Sequence, residues 1–227
     1  VRRFAAPTIL LTLVALLAAA PAAAAELRLP AGADAAPKLP PGVVPAPVPP
    51  VSKANGQRRA AGASMSVAKK TFRIVEGPPP LWATVNICDT KGSPNAFGVR
   101  ASVPGNGSRR RVYARFTAQW WSGAKQVWLT VGGRGTTDWV YIGTQGWNAS
   151  QGGWTFHFSQ PPAGTAYVIR GVVELSWRQH ARASRRGKRK RAHWSQVDRR
   201  VLLTQTGKTG VRGGDPVGTS KAMCLIW

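Results

Sequence analysis

Acidic side chains are scarce in this chain. Eight Asp or Glu stand against 32 Lys or Arg, a formal charge of +24 over 227 residues. The part expected to fold holds Glu76, Asp89, Asp138, Glu174, Asp198 and Asp215, and no two form a tight pair in sequence. Carboxylates of a glycosidase can meet from distant strands, but no pairing is legible here. A G-x-S-x-G elbow, an H-E-x-x-H motif and a Gly-rich phosphate loop are all missing. Histidine is scarce too, and His157, His180 and His193 show no ligand spacing with a cysteine. Neither an enzyme nor a metal or cofactor site is expected.

Long apolar runs are confined to one place. Residues 4–20, FAAPTILLTLVALLAAA, follow Arg2 and Arg3 and precede the small residues of PAAAAE. This pattern predicts a secretory signal peptide over 1–25, cut after Ala25. The alternative is an uncleaved membrane anchor, for which the run is short against the roughly 20 residues a spanning helix needs. Membrane contact is expected only in that case. The protein is otherwise expected to be secreted, extracellular or associated with the cell wall.

Cysteine occurs twice, as Cys88 and Cys224. In an exported chain such a pair reads as a disulfide, the alternative being two buried thiols. In LWATVNICD, Ala83, Val85 and Ile87 share one face of a strand, and Cys88 falls on the other. The bond is therefore expected at an edge or outer face, not across a core.

Proline and alanine dominate 26–70, where Pro30, Pro37, Pro40, Pro41, Pro45, Pro47, Pro49 and Pro50 fall among small residues. That composition predicts a disordered linker biased towards extended polyproline II.

From about residue 71 the apolar period is two. In RVYARFTAQWW, Val112, Ala114, Phe116, Ala118 and Trp120 oppose Tyr113, Arg115, Thr117 and Gln119. In AYVIRGVVELSW, Tyr167, Ile169, Val173, Leu175 and Trp177 oppose Arg170, Glu174 and Ser176. Further strands are expected at 81–89, 97–103, 125–131, 138–143, 154–158, 192–204 and 221–226, with Gly, Pro and Asn clusters between them. Residues 71–227 are thus expected to form an all-β, antiparallel two-sheet sandwich.

PPAGTAYVIRGVVELSW places Tyr167 just after a turn, at the start of a long alternating strand. This resembles the tyrosine corner of immunoglobulin-like and fibronectin type III-like sandwiches. The signal, the Pro/Ala segment, WATVNICDT and DPVGTSKAMCLI together resemble uncharacterised secreted β-sandwich proteins of high-GC actinobacteria. The resemblance implies an immunoglobulin-like fold and no particular activity.

The cations are clustered. Arg178, Arg182, Arg185, Arg186, Lys188, Arg189, Lys190 and Arg191 lie between two strand patterns, with Gly187 near the middle. A basic hairpin is expected there. Like charges facing each other in a ribbon cost roughly 0.2–1 kcal/mol per pair, a repulsion that a bound polyanion relieves. A second group, Arg109, Arg110 and Arg111, opens a strand, and an immunoglobulin-like topology puts both groups at one pole. The expected partner is an anionic cell-envelope polymer or extracellular nucleic acid. The competing explanation is an Arg-rich composition with a solvated loop.

Ten tryptophans are the other resource. Trp120, Trp154 and Trp177 have inward parity. Trp128, Trp139, Tyr141 and Trp147 are the candidates for stacking on sugar rings, the alternative function of a carbohydrate-binding module. A structural extracellular domain with no specific ligand is the third reading.

Overall fold

The computed structural model describes residue 30 and residues 32–47, 51–57, 81–180 and 194–227. Strands account for most of these residues, and none of them is helical. The strands are β1 (Val51–Gln57), β2 (Trp82–Thr90), β3 (Ser93–Pro104), β4 (Arg111–Ser122) and β5 (Val127–Thr130). They continue with β6 (Val140–Thr144), β7 (Ala149–Phe158), β8 (Tyr167–His180), β9 (Trp194–Leu203) and β10 (Met223–Ile226). All pairings between these strands are antiparallel. One sheet runs β1-β7-β3-β2. The other runs β10-β8-β4-β5, with β9 also on β8 and β6 also on β4.

The period-two reading holds in β3, β4, β7 and β8. Phe97, Val99, Phe156 and Phe158 of one sheet meet Val112, Phe116, Ile169, Val173 and Leu175 of the other in a single core. Burying each such side chain stabilises by about 1.5–3 kcal/mol relative to exposure. Trp120 and Trp177 are buried in this core, and Trp154 is half-buried against it.

The cysteine parity is where the alternation breaks. Val85 pairs with Val99, but the next pairs are Ile87 with Gly98 and Cys88 with Phe97. Asn86 is the extra residue of a β-bulge, and such a residue moves every later side chain to the opposite face. Cys88 therefore faces inward beside Phe97, which corrects the outer-face alternative, while the bond joins two end strands, as the edge alternative expects. Two features favour the bulge. The Asn86 amide donates to the Gly213 carbonyl at 2.7 Å. Gly98 leaves room opposite, since a Cβ there would lie 2.8 Å from the Ile87 Cβ.

Cys88 and Cys224 form a disulfide across 136 positions of sequence, with Cα atoms 5.3 Å apart. It joins β2, at the end of one sheet, to β10, at the end of the other, and closes that side of the molecule.

The free edge of β2 and one end of an outer face are also covered. The chain between β9 and β10 runs along the free edge of β2, where Gln205 and Asp215 donate to Ala83 and Asn86, and Lys221 exchanges two bonds with Val85. On the six-stranded sheet the cover is the proline-rich segment itself. The Ala35 carbonyl accepts a bond from Trp128 Nε1 at 3.0 Å. Ala46 donates to the Ala166 carbonyl at 2.8 Å. Beneath it Trp121, Trp128 and Val168 form a second apolar cluster with Leu39, Met223 and Leu225. Residues 32–47 thus lie on the sheet, and 51–57 pair with β7, where the composition predicts a linker. The physical reason is that an extended proline-rich chain needs few backbone donors satisfied and packs well on exposed indoles.

Removing the disulfide releases a long loop in the unfolded chain. Cys224→Ser is expected to lower stability by about 4–5 kcal/mol in the chain-entropy treatment, less if the unfolded state is compact. Urea unfolding of the variant, compared with the oxidised and reduced parent, measures the difference.

Candidate functional site

The site is built on the pairing of β4 with β8, which runs from Arg111↔Arg178 to Trp120↔Ile169. At its basic end β6 flanks β4, and β9 flanks β8 out to His180↔Trp194. The outer face there carries Arg111, Tyr113 and Arg115 from β4, and Glu174, Ser176, Arg178 and His180 from β8.

Arg109 and Arg111 are exposed, and Arg110 is half-buried. The Arg110 carbonyl is held by the Gln145 amide at 3.0 Å and the Thr144 hydroxyl at 3.1 Å. Arg182, Arg185, Arg186, Lys188, Arg189, Lys190 and Arg191 lie outside the described residues. The roots of their segment are His180 and Trp194, paired with each other. Arg111 pairs with Arg178 at the end of the ladder that carries both roots, and Arg109 and Arg110 lead into it.

Rings hold two of these cations. The Arg111 guanidinium lies 4.0 Å from the Trp194 ring centre. Arg178 lies 4.3 Å from Tyr113 and 5.6 Å from Trp139. Tyr113 and Tyr141 are 5.5 Å apart, and His180 and Trp194 are 5.3 Å apart, edge to face. Among the described residues, no ion pair joins Arg109, Arg110, Arg111 or Arg178 to a carboxylate.

One step along the sheet the chemistry differs. Glu174, with its side chain 4 % exposed, accepts Arg115 at 2.7 Å. Arg199 takes its other oxygen. Arg115 also lies 5.1 Å from the Trp139 ring. This buried acid binds β8 to β4 and β9, and it sets the boundary of the uncompensated patch.

The four ring candidates do not form one platform. Trp128 is 8 % exposed, lies under the proline-rich cover and has Arg170 4.3 Å from its ring. It belongs to the second apolar cluster, which removes it from the candidate surface. Trp147 is half-buried, with its ring against Gly143. Trp139 and Tyr141 instead join the arginine patch, and Tyr141 is 42 % exposed. Sequence parity anticipates Tyr113 and Arg115 beside Arg111. It does not anticipate Trp194 or Tyr141, which arrive from β9 and β6.

Arg170 is the cation at the opposite, covered end. Burial lowers its pKa to about 10, with Asp34 opposing the shift. At neutral pH it stays charged, and it donates to the Ala33 carbonyl and to Gln119 Oε1. Among the described residues no three His, Cys, Asp or Glu side chains converge on a metal-sized site. No helix there is long and apolar enough to cross a membrane.

The chain matches no protein-family model, no curated protein and no solved structure.

Glu174→Ala leaves two guanidiniums without their shared partner. Because both arginines are about one-third exposed, with side chains at 34 % and 31 %, water recovers part of the energy. The expected cost is about 2 kcal/mol, below the roughly 3–5 kcal/mol of a fully buried pair. The urea midpoint reads it.

Proposed function

We propose that the protein is a secreted, non-catalytic, immunoglobulin-like β-sandwich that binds anionic polymers through its basic pole. The carrying observation is the convergence of Arg109, Arg110, Arg111 and Arg178 beside the roots of a segment with seven further cations, with no carboxylate paired to those four among the described residues. Unneutralised cations at one end make a local positive potential that attracts a polyanion and releases its counterions.

Several observations support the remaining parts of this reading. Three carboxylates have structural work: Glu174 between Arg115 and Arg199, Asp215 on the Thr90 hydroxyl, and Asp89 on the backbone amides of Asn95 and Trp227. A disulfide suits an oxidising compartment outside the cytosol. Tyr167, buried at the start of β8 after the turn at Gly164, suits the tyrosine corner. The carbohydrate-binding alternative loses Trp128, finds Trp139 against Arg115 and Arg178, and keeps only Tyr141 and the half-buried Trp147.

Salt is the discriminating variable. Retention on heparin and on inorganic polyphosphate is expected to fall by orders of magnitude between low and moderate salt. Changing Arg109, Arg111 and Arg178 to Gln is expected to flatten the slope of log affinity against log salt by about 0.7–0.9 for each phosphate no longer neutralised. Changing Arg185, Arg186, Lys188, Arg189, Lys190 and Arg191 to Gln should reduce it further. Retention on a neutral glycan, insensitive to salt and to both sets, would instead favour sugar stacking.

A further inference from the structure

Two arginines at the basic pole, Arg111 and Arg178, are held by rings where an acid could have held them, and the difference has a chemical consequence. An arginine paired with a carboxylate, as Arg115 and Arg199 are with Glu174, has its charge offset and its N–H fork occupied. An arginine resting on an aromatic face keeps both its full charge and its in-plane donors. Arg111 on Trp194 and Arg178 on Tyr113 are of the second kind.

Charge alone does not account for the surface. A ligand recognised only by its phosphate or sulfate groups needs cations and makes no use of aromatic faces. Here Tyr113, Trp139, Tyr141, His180 and Trp194 share the outer face with Arg111 and Arg178. Tyr141 and His180 are exposed. The Tyr141 ring is tilted 59° to that of Tyr113, and no guanidinium lies over it among the described residues. It is thus open to an incoming planar group.

We propose that this face of the six-stranded sheet is a stacking platform for single-stranded nucleic acid. Tyr141 and His180 receive bases, and Arg111, seated on Trp194, and Arg178 bind the phosphates between them. The inference rests on the polyanion reading and names the ligand class for the same pole. Single strands combine regularly spaced anions with accessible π-faces, and proteins that bind them without sequence preference use rings within a basic surface. Duplex DNA presents the same phosphates but buries its base faces in the stack, and sulfated glycans have no planar face.

The test uses the full chain and a labelled oligothymidylate in moderate salt, with duplex DNA, inorganic polyphosphate and heparin as competitors. Oligothymidylate is expected to quench tryptophan fluorescence, and polyphosphate is not. Tyr141→Ala is expected to weaken oligothymidylate binding about tenfold, the effect of removing one base stack. Tyr141→Phe should keep it near the parent value, and polyphosphate affinity should stay unchanged in both variants. The proposal is overturned if Tyr141→Ala changes both ligands alike or neither. It is also overturned if duplex or heparin displaces the oligonucleotide as readily as a single-stranded competitor. If neither polyphosphate nor oligothymidylate binds, the polyanion reading falls with it. If polyphosphate binds and the ring variants have no selective effect, only the nucleic-acid assignment falls. The quenching result on the unaltered protein stands independently of how any variant folds.

Discussion

The pairing of β4 with β8 is the constraint on which the rest depends. Ten residue pairs in unbroken register run from Arg111↔Arg178 to Trp120↔Ile169. Because side chains alternate, that register sends Val112, Ala114, Phe116, Val173, Leu175 and Trp177 into the core. It sends Tyr113, Arg115, Glu174 and Arg178 outward. A slip of one residue would exchange the two sets, burying arginines and exposing phenylalanine. Apolar burial supplies most of the discrimination, and the pair of Arg115 with Glu174, directly opposite each other, acts in the same direction.

The same ladder divides its outer face into two regions with different chemistry. At one end the proline-rich segment covers Trp121 and Trp128, and Arg170 is buried with hydrogen-bonding partners and a ring. At the other end no such cover is present among the described residues, and arginines lie on rings in reach of solvent. Glu174 stands between the regions. Placing its charge there neutralises Arg115 and Arg199, whereas Arg111 and Arg178, next to the basic segment, have no carboxylate partner among the described residues. Arg111 and Arg178 face each other across the ladder, and this repulsion costs stability. The ring contacts offset part of it, at about 0.5–1 kcal/mol for an exposed cation–π pair.

The disulfide and the two covers address a separate difficulty, the exposed sides of a small two-sheet protein. β2 and β10 are end strands, where unpaired backbone groups would template association. The bond from Cys88 to Cys224 ties them, the β9–β10 connection hydrogen-bonds to β2, and β1 pairs with β7. The high net charge works in the same direction, since like-charged molecules repel at distances within the screening length.

The positions of β2 to β10, inward and outward residues in β4 and β8, and the clustering of cations were legible from the chain, because a period of two is a local property; β1, inside the proline-rich segment, was not. Arg111, Tyr113 and Arg115 on one face, and Arg178 near the basic segment, followed from the same alternation. Three things were not legible, and each arises from contacts between distant segments. The face of Cys88 depends on a bulge at Asn86, favoured by Gly98 on a neighbouring strand and by a carbonyl more than 120 positions away. The burial of Trp128 depends on a proline-rich segment whose composition gives no sign of a docking surface. The arrangement of Trp194 over Arg111, and of Tyr141 beside Tyr113, depends on which strands flank β4 and β8. Periodicity assigns a side chain to a face, but only the pairing of strands decides which side chains share that face and what covers it.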